Sequence, residues 1–197
     1  LLAFTGHKSL FGPQGTGGLY IRQGLEKRIV PVMTGGTGSR SEFEQQPDFM
    51  PDRYEAGTPN TVGYAGLGAA VRYVMAQGIE KIRAHEARLT RLFLDGLEDI
   101  DVERVYGLKD PSRQVAIVSF RLRGADPAET ALELDEQFRI LCRPGLHCAP
   151  SAHRTIGSYP WGTVRFSFGY FNTVRHVRAA LKALDRLSKR DRSSRQP

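Results

Sequence analysis

Apolar residues follow a helical pattern in two adjacent segments near the middle of the chain. Small and apolar residues run from Val62 to Met75, after a Pro-Asn-Thr helix entry at 59–61, and Gly78 ends this segment. From 79 to 97, apolar positions recur three and four residues apart. We therefore predict two consecutive helices. Because such a pair carries a chain from one domain into the next, we place a domain boundary near Gly78.

Apolar and polar positions elsewhere predict short strands and further helices. In 115–122 and again in 164–168, apolar residues alternate with polar ones, as in a half-buried strand. The predicted strands are 1–4, 18–22, 102–105, 115–122 and 164–168, and the remaining helices are 126–138 and 173–187. A long loop, 34–51, is rich in Gly, Ser, Gln and Pro. This order predicts an α/β part followed by a smaller α+β domain.

Composition narrows the class of protein. The chain has 197 residues, of which 40% are apolar, which is enough for one large domain or two small ones. The net charge of +7 is concentrated in residues 175–197, which contain eight Lys or Arg and only two Asp. A basic helix and tail without interleaved aromatics gives little reason to expect nucleic-acid binding.

The surroundings of the protein are predicted from its apolar runs and cysteines. No apolar run approaches membrane-spanning length, so we expect no membrane association. The two cysteines form no disulfide framework and fit a reducing compartment, so we expect a cytoplasmic protein. The first residue is Leu1 rather than Met, inside what reads as a buried strand, and we expect a segment upstream.

Lys8 lies at a strand end, between a histidine and a glycine-rich loop. An imine-forming lysine needs a fixed position and an environment that eases loss of its proton. Glycines let backbone approach a phosphate-bearing cofactor closely. The spacing matches neither a nucleotide-binding P-loop nor a dinucleotide fingerprint. From these residues alone, a surface lysine in a turn remains the alternative.

Cys148 lies in a segment that also carries several potential cations: Arg143, His147, His153 and Arg154. Nearby cations make a cysteine reactive by stabilising its thiolate. A buried, inert cysteine remains the alternative. A zinc site would draw on Cys142, His147, Cys148 and His153, but this spacing is not a recognised one, and we predict no metal.

Arg165 lies on a predicted strand, on the face opposite Phe166 and Phe168. A strand holds an arginine firmly enough for bidentate recognition of a carboxylate. A surface salt bridge is the alternative role.

The motifs around Lys8 resemble those of a known family. Residues 5–8 (TGHK) and 12–20 (GPQGTGGLY) are similar to the lysine loop of the class V aminotransferase and cysteine desulfurase family. These are pyridoxal-phosphate enzymes of fold type I. The resemblance implies that Lys8 carries pyridoxal 5'-phosphate as a Schiff base and that His7 binds its phosphate. Residues 53–61 (RYEAGTPNT) look like a second family signature. By that resemblance Thr58 reaches the cofactor phosphate of the opposite subunit, which implies a homodimer.

Two further segments extend the resemblance to about residue 187. Residues 143–148 (RPGLHC) resemble the catalytic-cysteine loop of desulfurases in the group that includes selenocysteine lyases. This implies that Cys148 takes sulfur as a persulfide and assigns Arg143 to substrate binding. Residues 151–157 depart from that loop and resemble a subgroup with less certain substrates. The segment 164–173 resembles the one whose arginine, here Arg165, binds the amino-acid α-carboxylate.

The resemblance implies a fold-type I enzyme of which this chain is the C-terminal half. Residues 1–78 are expected to end the large cofactor-binding domain, residues 79–190 to form the small α+β domain, and residues 191–197 to form a basic tail. The expected reaction removes sulfur from L-cysteine to give alanine and an enzyme persulfide, with a sulfur-acceptor protein as a possible partner. The half-chain alone is expected to be inactive. An aminotransferase, an epimerase, a selenocysteine lyase or a non-catalytic remnant are the alternatives.

Overall fold

The computed structural model describes residues 1–193, and side chains up to residue 190. The chain divides into two compact units, Leu1–Ile79 and Glu80–Pro197. The last four residues of the predicted basic tail, 191–197, lie outside the described residues. Within the described part of the chain, no helix has both the length and the apolar character needed to cross a membrane.

The first unit contains one strand pair and one long helix. Strand β1 (Leu2–Thr5) pairs antiparallel with β2 (Gly17–Tyr20). Helix α1 (Thr61–Gln77) begins where the Asn60 side chain accepts a hydrogen bond from the Gly63 amide at 3.0 Å. It ends at Gly78, whose φ of 84° suits glycine and whose amide donates to the Val74 carbonyl. Both predicted ends of this helix are confirmed.

The long loop of the first unit is organised by one amide side chain. The Gln46 carbonyl oxygen accepts from the Gly35 amide at 2.9 Å. Its NH₂ group donates to the carbonyls of Asp52, at 2.6 Å, and Glu55, at 3.1 Å. The Gly57 amide donates to the Gly35 carbonyl at 2.9 Å. Gln46 therefore ties both ends of the loop together.

The second unit is a four-stranded antiparallel sheet with helices. Its strands are β3 (Val102–Tyr106), β4 (Ile117–Leu122), β5 (Arg143–Gly145) and β6 (Thr163–Ser167), in the order β3-β4-β6-β5. The helices are α2 (Ile79–Leu97), which begins at the boundary, α3 (Pro127–Phe138), α4 (Pro150–Thr155) and α5 (Val174–Ser193). The predicted strand and helix positions are confirmed to within a few residues, except that α5 continues past Leu187.

The core of the second unit lies between the sheet and its helices. The ring of Phe93, on α2, lies 5.0 Å from those of Phe166 and Phe168 and 5.9 Å from that of Phe120, between centroids. The apolar residues of β4 and β6 that alternate with polar ones are buried, as predicted. Arg165 therefore lies on the other face of the sheet from this core.

Two short elements were not predicted. β5 has three residues and contains Pro144, and α4 has six residues. β5 lies at the edge of the sheet, where a proline is tolerated because its missing N–H does not interrupt a ladder. Neither element is long enough to show a periodic pattern of its own. Both flank Cys148.

We expect Gln46→Glu to open the 34–57 loop. The carboxylate keeps the shape of the amide but loses both donors and faces two carbonyl oxygens. Leaving such groups unsatisfied costs about 1–2 kcal/mol, which should raise the open population roughly five- to thirtyfold. Limited trypsin cleavage after Arg40 should accelerate accordingly. Gln45→Glu, with the same charge change on an exposed neighbour, is the control, and equal cleavage of the two variants would contradict the role of Gln46.

Candidate active site

Lys8 lies immediately after β1, in a loop that folds back on itself. The Phe11 amide donates to the Lys8 carbonyl at 3.0 Å, and the Gly12 amide donates to the Gly6 carbonyl at 2.8 Å. The Gly6 amide in turn donates to the Thr16 carbonyl at 2.8 Å. The Lys8 side chain is exposed. The backbone thus holds an accessible amine in a defined position.

This loop requires glycine at its closest approaches. A Cβ atom on Gly12 would lie 2.7 Å from the Gly6 carbonyl oxygen and 2.8 Å from Cδ1 of Leu67, on α1. A Cβ atom on Gly6 would collide with the Thr16 hydroxyl. The lysine loop therefore packs against its own backbone and against α1 at distances that no side chain permits. The predicted tight, glycine-rich loop after Lys8 is present.

His7 is oriented by a hydroxyl that was not assigned a role from the sequence. Oγ1 of Thr5 lies 2.9 Å from Nδ1 of His7. When this hydroxyl donates to Nδ1, the neutral ring carries its proton on Nε2 and offers a donor there. A phosphate oxygen would accept from such a donor. The sequence could have indicated this role of Thr5, because Thr5 lies two residues before His7, at the end of a strand.

Thr58 lies at the end of the long loop and is exposed. It follows Gly57, which is tied to Gly35, and precedes Asn60, the N-cap of α1. A Cβ atom on Gly15 would lie 3.8 Å from Nδ2 of Asn60, so the start of α1 adjoins the lysine loop. The first unit therefore brings the start of α1, just after Thr58, next to Gly15 of the lysine loop.

In the second unit, two arginines face each other across neighbouring strands. Arg143 on β5 is the register partner of Arg165 on β6. Side chains directly opposite in an antiparallel pair start about 4.5–5.5 Å apart, and like charges there repel. Among the described residues, neither guanidinium forms an ion pair with an acidic side chain. Nε of Arg165 is buried and has no hydrogen-bond partner. This arrangement suits an anion bound between them.

Cys148 is exposed and touches one of these arginines. Nη2 of Arg143 donates to the sulfur of Cys148 at 3.0 Å. This contact places a fixed positive charge directly against the sulfur. Cys148 and His147 both have left-handed backbone, with φ of 61° and 53°. Residues other than glycine rarely adopt this conformation, and such strain is concentrated at functional sites.

The other three candidate cations near Cys148 have different roles. Burial lowers the pKa of His147 below its usual range, although its hydrogen bond to the Arg143 carbonyl acts in the opposite direction. The ring is therefore neutral at neutral pH. His153 is buried and bonded to Ser158, and the Arg154 guanidinium lies 4.5 Å from the Tyr159 ring centroid. The positive charge at the sulfur comes from Arg143.

Cys142 differs from Cys148 in its surroundings. It is partly buried against the core. Burial, with a smaller contribution from the Asp135 charge, raises the pKa of Cys142 to about 11. It is therefore a thiol at neutral pH. Within the described residues, no cluster of three or more His, Cys, Asp or Glu could hold a metal ion.

The chain is similar to cysteine desulfurases over nearly all its length. It is 36% identical over 196 residues to a probable cysteine desulfurase of Pyrococcus abyssi, covering 98% of this chain and 48% of that protein. It is 38% identical to a probable cysteine desulfurase 2 of Mycobacterium leprae, covering 93% and 44%. The chain thus spans about half the length of these relatives.

Solved structures support the same conclusion. The apo structure of the cysteine desulfurase from Thermococcus onnurineus matches with a TM-score of 0.85 at 34% identity, covering 95% of this chain and 46% of that one. The Escherichia coli cysteine desulfurase CsdA matches with a TM-score of 0.81 at 28% identity. The predicted fold class, a C-terminal part of this α/β fold, is confirmed. The aminotransferase class-V model matches residues 1–179, and the chain belongs to that family.

Proposed function

We propose that the chain is the C-terminal part of a pyridoxal-phosphate-dependent cysteine desulfurase. The observation that carries this proposal is the contact between Arg143 and the exposed sulfur of Cys148, beside the unpaired Arg165. On this proposal, the nucleophilic sulfur would lie next to a receptor for a carboxylate. The substrate would be L-cysteine and the products alanine and a persulfide on Cys148. The names of the similar proteins support the same reaction.

Arg165 would bind the α-carboxylate of the substrate. Its Nε is buried without a hydrogen-bond partner, and no acidic side chain among the described residues pairs with its guanidinium. The fork of the guanidinium is therefore available for a bidentate contact. Arg143, opposite on β5, adds positive charge to the same region. A bound carboxylate would also relieve the repulsion between the two arginines.

Cys148 would act as the nucleophile. Its thiolate attacks the substrate sulfur, a sulfur–sulfur bond forms, and the bond from that sulfur to the substrate Cβ breaks. The enzyme thiol and cysteine thus give a persulfide and, after the carbon takes up a proton, alanine. No external oxidant or reductant is needed. Arg143 stabilises the negative sulfur throughout.

The cofactor fits the first unit. Lys8 would hold it covalently, while His7, oriented by Thr5, and Thr58 of the partner subunit would bind its phosphate. When bound, the cofactor supplies an electron sink for the substrate carbon atoms. The Lys8 amine would carry protons to and from the substrate. On this proposal, residues 1–78 end the cofactor-binding domain of a homodimer and residues 79–190 form its small domain.

The same proposal has consequences for the cellular location of the protein and for the fate of its persulfide. A cytoplasmic location would keep Cys148 reduced between turnovers. The persulfide would be passed to a sulfur-acceptor protein or released by a reductant. An aminotransferase or selenocysteine lyase would share Lys8 and Arg165 but would not require the nucleophile that Arg143 activates. The experiments below use the full-length protein, with this chain's numbering, and separate these reactions.

We expect Cys148→Ala to abolish sulfide release from L-cysteine under reducing conditions. Cys142→Ala is the matched control and should retain activity, because its thiol stays protonated up to about pH 11. In the wild type at pH 7–8, iodoacetamide should modify the Cys148 peptide and leave Cys142 unlabelled. Full sulfide release by Cys148→Ala would refute the persulfide mechanism and favour a lyase or aminotransferase.

We expect Arg165→Lys to weaken substrate binding while cofactor binding is unchanged. Lysine keeps the charge and loses the bidentate fork. Losing a charge-assisted contact costs about 1.5–3 kcal/mol, so KM for L-cysteine should rise roughly ten- to a hundredfold. The control is Arg123→Lys, on an exposed arginine that pairs with Asp101 at 3.0 Å. An unchanged KM for every amino acid tested would show that Arg165 is structural.

We expect borohydride reduction to attach the cofactor permanently to Lys8. Mass spectrometry should locate the added mass on the peptide that contains Lys8. Lys8→Ala should lose this label, whereas Lys27→Ala, in the 3-10 helix Glu26–Arg28 of the same unit, should keep it. A label on any other lysine would contradict the assignment.

A further inference from the structure

Two buried polar side chains next to the Cys148 loop have no part in the proposed chemistry. His153, on α4, is 4% exposed, and Ser158 is completely buried. Nδ1 of His153 lies 2.7 Å from Oγ of Ser158. The Ser158 hydroxyl also donates to the His153 carbonyl at 3.5 Å. Burying such groups is unfavourable unless they are hydrogen-bonded, and these contacts meet that requirement. The pair is a fixed feature of this unit.

Ser158 is held in place independently of its hydroxyl. Its amide and that of Tyr159 donate to the His153 carbonyl at 2.9 and 3.2 Å. The Gly162 amide donates to the Ser158 carbonyl at 2.7 Å. These bonds join the end of α4 to the segment that leads into β6. The imidazole of His153 is therefore oriented by a partner whose own backbone is anchored.

The His153 ring packs against the ring of His147. Their centroids are 5.3 Å apart and the planes are tilted by 54°. On its other side, Nε2 of His147 lies 2.9 Å from the Arg143 carbonyl. Because a carbonyl only accepts, Nε2 must carry the proton. His147 is thus held between His153 and the backbone of Arg143.

Burial, and then the charges around it, lower the pKa of His147 and keep its ring neutral. The groups that act on it electrostatically are Arg165, His153 and Arg143, and all three lower its pKa. A second proton would bring another positive charge to the place where Arg143 and Arg165 already face each other. His147 therefore contributes a hydrogen bond and a packing surface to the site.

Arg143 completes a continuous series of contacts. Its carbonyl accepts from His147 while its guanidinium donates to the Cys148 sulfur at 3.0 Å. His147 and Cys148 both hold left-handed backbone, a conformation that persists only where the surroundings impose it. Arg143 is exposed and on a three-residue edge strand, so its side chain needs such support. The series runs Ser158, His153, His147, Arg143, Cys148.

We propose that His153, held by Ser158, is a positioning residue for the nucleophile: it acts through His147 to keep Arg143 on the sulfur of Cys148. This inference rests on the proposed role of Cys148 and adds to it two residues outside the assigned site. His153 touches neither the substrate nor the sulfur. It sets how firmly the Arg143 guanidinium is held against the Cys148 sulfur.

The test measures alkylation of Cys148 across pH in the full-length, cofactor-free protein, by mass spectrometry of its peptide after timed exposure to iodoacetamide. His153→Ala and Ser158→Ala should each slow the reaction at pH 7 by roughly two- to fivefold, the range of an exposed ionic contact. At a pH where every accessible thiol is ionised, their rates should equal that of the wild type. His176→Ala and Ser151→Ala, on exposed residues of α5 and α4, should leave the profile unchanged.

A double-mutant comparison tests the route through Arg143. If His153 acts through Arg143, the variant with both His153→Ala and Arg143→Ala should react like Arg143→Ala alone. Additive losses, an unchanged rate at pH 7, or an equal loss at every pH would each overturn the proposal. Ser158→Ala keeps the backbone hydrogen bonds of Ser158, so it decides the question if His153→Ala does not fold.

The outcome does not depend on the reaction catalysed, since alkylation requires neither cofactor nor L-cysteine. If the wild type releases no sulfide but the variants show the expected slower alkylation at pH 7, the desulfurase proposal is refuted and His153 remains a positioning residue. If the wild type releases sulfide but the variants show the same alkylation rate as the wild type at every pH, the desulfurase proposal stands and the role of His153 is refuted.

Discussion

The pairing of β5 with β6 places two arginines, Arg143 and Arg165, directly opposite each other. Their positive charges repel, and the arrangement of the second unit depends on which groups stabilise them. Arg143 directs its Nη2 to the sulfur of Cys148, and Arg165 keeps a buried, unpartnered Nε. Within the described residues, no acidic side chain neutralises either arginine. On the proposed function, this positive charge would stabilise a substrate carboxylate and the negative sulfur of Cys148.

The same constraint explains the unusual backbone beside Cys148. A three-residue strand cannot hold a long side chain in place by its own pairing. Support comes from His147 and Cys148 in left-handed conformations and from the buried pair of His153 and Ser158. The conformational cost of this turn is offset by packing and hydrogen bonds in α4 and the segment that follows it. On the proposed role of His153, the six-residue helix α4 would position the nucleophile without carrying a reacting group.

In the first unit, the close packing of the loop backbone fixes the position of Lys8. The backbone of the lysine loop approaches itself so closely that side chains on Gly6 or Gly12 would collide with their neighbours. The loop therefore has few alternative conformations, and the Lys8 amine is presented from a defined backbone position. The amide of Gln46 plays a comparable part in the long loop that leads to Thr58. In both loops, hydrogen bonds to the backbone rather than a packed apolar core fix the conformation.

The sequence by itself determined the elements whose causes are local. The N-caps Asn60 and Asp126 and the terminating Gly78 set helix ends through hydrogen bonds to residues a few positions away. Alternation in 164–168 put Arg165 opposite the buried phenylalanines, and family motifs singled out Lys8 and Cys148.

Only the tertiary structure decided the relations between distant residues. The register of β5 on β6, which sets Arg143 against Arg165, arises from pairing between segments far apart in sequence and leaves no periodic signal in three residues. Burial distinguishes Cys142, whose pKa rises to about 11, from the exposed Cys148, although the two are six residues apart. Burial likewise makes His147 neutral, whereas the sequence alone suggested a cation. The local sequence therefore shows which ionisable side chains are present. Packing between distant segments determines their protonation state and their partners.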